Sequence, residues 1–507
     1  MTRSRDQRWD LWLWPAFALA VHLLTWRGYG WFRDELYYVV CARHLAWGYV
    51  DHPPFSIALL RAVMNVTGTS LFAMRAVAAL CSAAAVLSTG ALAGELGGNR
   101  AARVVAMTAA LAAPLNLAIG FFYSMNVIDL VVWPLAMLLV LRAARRERRA
   151  DWAIAGLVLG IGLLNKISVL WLGGGLAVGL LMTPARRTLR TPGPWVAGAV
   201  AGLIFAPHVL WQIRHDWPTL EFIRHAGGEK MQSRSVLTFT RDALGDEGIV
   251  VALLGLSGLA TAWWRQVDAR ARVVAWAWVA VFALLAMNKT SRTEYLAPAW
   301  CWLFALAGVA IERFSEGRSA TWRVAPVGVT AAFGAVALPL ALPVLTTDTY
   351  VRVAARLGAT ASTEEKNEVG RLPQFFADMN GWESIVGSLE AAWRQLPADR
   401  QPHAVIFGTN YGESAAVDVL GGARGMPAAS GSHNNYFLWG PPDESVDAVV
   451  VMSSNPARWR AAFEHTTLAG ETDCGDCMPY ENHRPIYIAW GRKVPWRDAW
   501  PGLKHFD

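Results

Sequence analysis

What most constrains this chain is the recurrence of apolar runs long enough to cross a hydrocarbon core of about 30 Å. About eleven such runs lie near residues 11–26, 71–95, 101–120, 125–142, 152–167, 169–183, 195–213, 248–264, 273–288, 294–311 and 324–345. Backbone N–H and C=O groups in lipid have no water to bond, so runs of this kind must satisfy them internally. They therefore read as helices, and the chain as a polytopic α-helical membrane protein. Composition agrees: 54% of the residues are hydrophobic and only 17% charged, and the 26 tryptophans suit the two bilayer interfaces.

The loops between the runs give an orientation. With a cytoplasmic N-terminus, every second loop is basic: Arg100 and Arg103; the stretch RAARRERR at 142–149; Arg186, Arg187 and Arg190; Arg265, Arg270 and Arg272; Arg313, Arg318 and Arg323. This is the distribution the positive-inside rule requires. The formal charge of +7 lies almost wholly in these short loops, so it is no nucleic-acid footprint. Counting separate helices on either side of Lys166 keeps the alternation, and the odd total puts the C-terminus outside. Arg3, Arg5 and Arg8 precede the first run as in a signal peptide, but no small-residue cleavage site follows, which predicts an uncleaved first helix.

The opposite, extracytoplasmic loops collect the unusual residues. The first holds WFRDELYYVVCARHLAWGYVDHPP, from Trp31 to Pro54, with Asp34, Glu35, Asp51 and His52 placed where a lipid phosphate would lie. Apolar residues at Leu36, Val39, Val40 and Leu45 predict a helix lying in the interface, and Phe55–Met64 a second one. Residues 214–247, with the pair Gly227–Gly228, read as a mobile loop facing headgroups. After Leu345 the chain turns polar. This predicts a division into a membrane domain at 1–345 and an extracytoplasmic α/β domain at 346–507, with strands in 403–421, 447–454 and 484–490 and a helix from Pro456 to Glu464.

Asp34 beside Glu35 is a weak signal alone, since acids after a helix are often solvated. Asp129 adds to it, because a carboxylate within the apolar run SMNVIDLVVWPLAML needs a partner or a cavity. Two such acids suit sugar chemistry, one as general base toward a hydroxyl and the other orienting or stabilising charge. A buried hydrogen bond to a neighbouring helix is the plain alternative for Asp129. Lys166, Lys289 and Arg292 put positive charge on the same side, where a departing phosphate would need it. The other reading is headgroup anchoring. His52 either donates to a phosphate or shapes the turn before Pro53. Cys474 and Cys477 form a C-x-x-C pair favouring a local disulfide in an oxidising compartment over a zinc site with His483. No phosphate-binding loop or dinucleotide fingerprint is present, so no nucleotide cofactor is expected.

RDELYY followed by GYVDHPP, the acid at the outer end of the fourth span and KTSRTEYLAPAW resemble the family 39 glycosyltransferases of the GT-C fold, over roughly residues 10–312. This group includes the protein O-mannosyltransferases and the lipid A aminoarabinose transferases. LPQFFADMNGWE, NYGESAAVD and SGSHNNYFLWGP resemble a bacterial subgroup. The resemblance implies Asp34 as catalytic base, Asp129 as the second acid, Glu35 completing the acidic pair, and Tyr295 beside the loop over the donor phosphate. It implies an inverting transfer from a polyprenyl monophosphate sugar with no required metal, to a lipid, glycan or protein acceptor, in an inner membrane. The C-terminal part does not resemble the β-trefoil of the eukaryotic protein mannosyltransferases, which weakens the case for a protein acceptor. A transporter or flippase of a lipid-linked sugar is the competing class, but such proteins place their site at the midplane between matching halves.

Overall fold

The computed structural model describes residues 9–507, so Arg3, Arg5 and Arg8, which precede the expected uncleaved first helix, lie outside the described residues. Helices form at each of the apolar stretches: α1 (Leu13–Thr25), then, after two short helices, α2 (Arg33–Arg43) and α3 (Phe55–Thr67), α4 (Leu71–Glu95), α5 (Arg100–Ala112), α6 (Pro114–Phe121), α7 (Met125–Arg146), α8 (Arg149–Asn165), α9 (Val169–Leu181) and α10 (Pro192–Arg214). The bundle continues through α11 (Pro218–His225), α12 (Val236–Glu247), α13 (Ile249–Thr261), α14 (Ala271–Met287), α15 (Ala297–Phe314) and α16 (Thr321–Ala341).

Among the described residues five helices are long and apolar enough to cross a membrane singly, or up to eight if bent pairs each count as one span. Prolines set some of the bends. Pro114 cannot continue the hydrogen bonding of α5, and α5 and α6 meet at 63°. The interior is built from small and aromatic side chains. Trp133 on α7 stacks on Trp302 of α15 at 5.5 Å, and Gly308 of α15 lies so close to α5 that a Cβ there would meet the Ala102 carbonyl at 2.2 Å.

Two expectations need correction. The stretch 214–247 is not a structureless loop: α11, a turn at 226–230 and α12 occupy most of it. Nor is α2 an interfacial helix with one wet face. Every residue from Glu35 to Ala42 is buried. The physical reason is a cover the local sequence does not announce, since α2 shares one apolar core with Trp382, Ile385, Ile406 and Ile488 of the C-terminal region.

That region carries α17 (Thr347–Arg356), α18 (Gln374–Ala377), α19 (Trp382–Trp393) and a five-stranded mixed sheet in the order β2-β1-β3-β5-β4. The strands are β1 (Ala404–Gly408), β2 (Ala429–Gly431), β3 (Ala448–Met452), β4 (Phe463–Glu471) and β5 (Pro485–Arg492). β1 and β3 pair in parallel and are buried throughout, as their unbroken apolar runs require. β5 runs antiparallel to both β3 and β4. Between β1 and β2 the chain forms α20 (Tyr411–Ala416), capped by Asn410, whose side-chain oxygen accepts from the Glu413 N–H. Cys474 and Cys477 form the expected disulfide.

Candidate active site

The first turn of α2 presents three consecutive charged residues, and the fold sends each to a different task. Glu35 turns inward. Its carboxylate takes Arg75 Nε at 3.1 Å and Nη2 at 2.8 Å, and also the backbone N–H groups of Phe32 at 3.0 Å and Tyr123 at 3.1 Å. Both Glu35 and Arg75 are essentially inaccessible. The remaining Arg75 N–H groups donate to the carbonyls of Trp26, Arg27 and Gly30. Glu35 therefore ties α2 to α4 and to the turn before α7. The expectation that it shares the acid-base chemistry is corrected on this ground, since its lone pairs are already committed.

Asp34 faces the other way, with 36% of its side chain exposed. Its Oδ1 accepts the Tyr411 hydroxyl at 2.9 Å, a contact between residues 377 apart in sequence. Burial holds the Tyr411 phenol well above its ordinary value, with Arg33 opposing and Asp34 and Glu365 adding to the rise, so it keeps its proton and acts as the donor.

Arg33 organises the surrounding charge. Its guanidinium lies 5.4 Å from the Tyr411 ring centre, 3.6 Å from Asp378 and 3.8 Å from Glu365, and donates to the Tyr480 hydroxyl at 2.5 Å. The two acids are driven apart. Burial raises Asp378 to about 6 against the pull of Arg33, whereas for Glu365 the attraction of Lys230, Arg33 and Arg292 overcomes burial and lowers it. Glu365 arrives on a segment that bridges to Met231, with the Lys366 N–H donating to the Lys230 carbonyl at 2.8 Å. Beside it Glu364 pairs with Arg234.

A second cluster forms on α7, α8, α9 and the turn before α15. Asp129 is buried, accepting Asn165 Nδ2 at 3.1 Å and Ser168 Oγ at 2.5 Å. These two bonds fix the break between α8 and α9, where Lys166 donates to Asn126 Oδ1 at 2.6 Å and lies 4.5 Å from the Tyr295 ring centre. Arg292, a few residues before Tyr295, approaches Glu294 to 3.3 Å. Lys166 and Tyr295 are thus brought together, with Arg292 three residues before Tyr295 in the chain. Asp34 and Asp129 are linked through intermediates. Tyr38, one turn along α2 from Asp34, accepts the Met125 N–H at 3.4 Å, and Asp129 lies one turn further along α7.

Two predicted phosphate ligands are not part of this cluster. Lys289 is exposed, and among the described residues only its backbone carbonyl is engaged, by the Arg234 N–H at 2.8 Å. His52 is 1% exposed, packed against Tyr38 and Tyr49 at 4.9 Å each, with Nδ1 3.0 Å from the Pro53 carbonyl. Enclosed by aromatic rings, it shapes the turn, which corrects its assignment as a phosphate ligand. Sequence reasoning also missed Arg33, Lys230, Glu365, Asp378 and Tyr411. RDELYY, LPQFFADMNGWE and NYGESAAVD carried three of these, Arg33, Asp378 and Tyr411, in stretches already singled out for their resemblance.

His433, His505 and Asp507 have ligand atoms within 4.8 Å of one another, a spacing suited to a metal. The hydrogen bonding does not fit one. His433 Nδ1 accepts the Tyr411 N–H at 3.2 Å, so its proton sits on Nε2, which points at Asp507 Oδ1 from 2.8 Å. Burial lowers His433, consistent with the neutral ring.

The chain is similar to several known proteins. A family profile described as dolichyl-phosphate-mannose-protein mannosyltransferase matches residues 51–211. The lipid A galacturonosyltransferase RgtD of Rhizobium johnstonii is 25% identical over 279 residues, 54% of this chain, and the match spans 59% of that relative's length. In three dimensions, ArnT from Cupriavidus metallidurans bound to undecaprenyl phosphate matches with a TM-score of 0.60 at 16% identity, covering 94% of this chain and 97% of ArnT. The oligosaccharyltransferase AglB from Archaeoglobus fulgidus, in complex with an inhibitory peptide and a dolichol-phosphate, matches at 0.55 with 12% identity, over 89% of this chain and 70% of AglB. The fold is that of the GT-C glycosyltransferases, as the resemblance in RDELYY and GYVDHPP implies.

Proposed function

We propose that this chain is an integral-membrane glycosyltransferase that moves a sugar from a polyprenyl monophosphate carrier onto an acceptor hydroxyl at the extracytoplasmic face, with inversion. The observation that carries the reading is Asp34: a part-exposed carboxylate, held by Tyr411 and flanked by Arg33, on the helix whose next turn contacts the start of α7. A general base needs such access on one side and such support on the other.

In this reading the acceptor hydroxyl gives its proton to Asp34 as its oxygen attacks the anomeric carbon, and the bond from that carbon to the phosphate oxygen breaks. Lys166, Arg292 and the Tyr295 hydroxyl receive the departing lipid phosphate, whose growing negative charge is the main electrostatic demand of the step. Asp129 acts through Asn165 and Ser168, holding the Lys166 turn in register. The alternating basic loops support a cytoplasmic N-terminus, eleven crossings and an outer location for residues 346–507 as a domain. The likeness to RgtD makes lipid A an acceptor to try first, and the undecaprenyl phosphate on ArnT makes that carrier the donor lipid to try first.

The test is transfer by the purified chain in detergent from radiolabelled undecaprenyl phosphate carrying galacturonic acid, aminoarabinose or mannose to lipid A. Wild type should yield labelled product, and Asp34→Asn should lose about a hundredfold to ten-thousandfold of the rate while keeping its thermal midpoint. Full activity in the Asn variant would remove Asp34 from the chemistry.

A further inference from the structure

Resting on the reading of Asp34 as the base, we propose that Tyr411, from the C-terminal region, is the positioning residue that aims the Asp34 carboxylate. The sheet region does more than cover α2. Its helix α20 begins at Tyr411, and the Tyr411 ring lies 4.6 Å from Tyr37 of α2, beneath the Arg33 guanidinium.

Each end of Tyr411 is fixed. Its backbone N–H donates to His433 Nδ1, and His433 in turn is held by Asp507 at 2.8 Å. The neighbouring Asn410 donates to Glu413 at 3.1 Å and to Glu481 at 2.8 Å, locking the turn that feeds α20. The hydroxyl then reaches Asp34 Oδ1. A carboxylate with Oδ1 occupied by a donor has Oδ2 left for an incoming hydroxyl, and its rotation about χ2 is stopped. Positioning of this kind converts directly into rate, because a misplaced reacting group by about 1 Å can cost a hundredfold.

Asp34 also keeps access to solvent beside this contact. Neighbouring Glu35 is wholly buried, while Asp34 keeps an open side at the seam.

The discriminating experiment is a double-mutant cycle of Tyr411→Phe and Asp34→Asn, using undecaprenyl phosphate sugar donors with lipid A. Phenylalanine keeps the ring against Tyr37 and Arg33 and removes only the hydroxyl. The expected result is a kcat lower by roughly tenfold to a hundredfold with donor KM unchanged, an unchanged thermal midpoint, and a double variant no slower than Asp34→Asn alone. Wild-type turnover in Tyr411→Phe, losses that multiply in the double variant, or a thermal midpoint that falls with the rate would each overturn the positioning role. A wild type that transfers sugar from none of the donors undoes the assignment of function itself and this inference with it. An active wild type with an unaffected Tyr411→Phe undoes this inference alone.

Discussion

Arg75 meets Glu35 through two nitrogens, and neither side chain has access to water. The pair sits one residue from the part-exposed carboxylate of Asp34, so a single helical turn carries both a structural anchor and the proposed base. Removing one member of a buried, hydrogen-bonded ion pair strands the other and costs about 3–5 kcal/mol. Glu35→Ala should therefore lower the thermal midpoint sharply and reduce the yield of folded protein. Asp34→Asn, at a part-exposed position, should leave the midpoint within a degree or two. Equal midpoints for the two variants, measured in the same detergent, would show that Glu35 does not anchor α2.

The two lysines predicted to hold phosphate should separate. Lys166 is buried with its ammonium over the Tyr295 ring, whereas Lys289 is exposed and contributes a backbone carbonyl. Lys166→Ala should raise the donor KM by at least about tenfold, since a charge-assisted hydrogen bond to phosphate contributes about 1.5–3 kcal/mol. Lys289→Ala should bind donor as wild type does. Titrating both variants with undecaprenyl phosphate checks this directly, and equal losses would place the phosphate elsewhere.

The backbone at Gly381 makes a further prediction. It opens α19 with φ of +85°, a conformation that side chains resist, and a Cβ built there would lie 2.4 Å from the Cys474 Cβ. The obstacle is a disulfide-bonded residue with little room to retreat. Gly381→Ala should destabilise the C-terminal region by at least about 1 kcal/mol, read as earlier proteolysis of residues beyond 346. Gly425→Ala serves as the comparison, because its φ of +70° carries similar strain with open space around it.

Much of the membrane part was legible because it rests on local rules. Apolar runs mark helices wherever they occur, and Pro114 marks a bend from its own chemistry. The second cluster was half legible: Lys166, Arg292 and Tyr295 stand at ends of apolar runs, where an ionisable group already asks for an explanation. What could not be read was the cover on α2. Leu36, Val39 and Val40 have the spacing of a one-sided helix, yet their other side is closed by Trp382, Ile406 and Tyr411, more than 300 residues away. The Tyr411 hydrogen bond to Asp34 is invisible for the same reason, and so is the choice between Asp34 and Glu35. Glu35 stands at the third position of the helix, where its side chain reaches back to the Phe32 N–H, but the Arg75 and Tyr123 donors that hold it inward come from distant parts of the chain.

Asp378 should leave a mark on stability between pH 4 and 6. Burial raises it from 3.8 to about 6, against the attraction of Arg33 and with repulsion from Glu365 and Asp34. Over that interval the folded chain holds a proton that the unfolded chain releases, so raising the pH favours unfolding. The contribution is fully present below 3.8 and is lost as pH rises through about 6, on the order of 3 kcal/mol across the window. The substitution Asp378→Asn installs an amide that cannot ionise, which removes the slope while keeping the backbone carbonyl that accepts the Arg33 N–H at 3.0 Å. Thermal midpoints of wild type and Asp378→Asn should thus diverge in favour of the variant from pH 4 to pH 6 and run parallel above it. A gap that stays constant, or that widens toward acid, would mean that Asp378 is ionised throughout and serves Arg33 as an ordinary ion-pair partner.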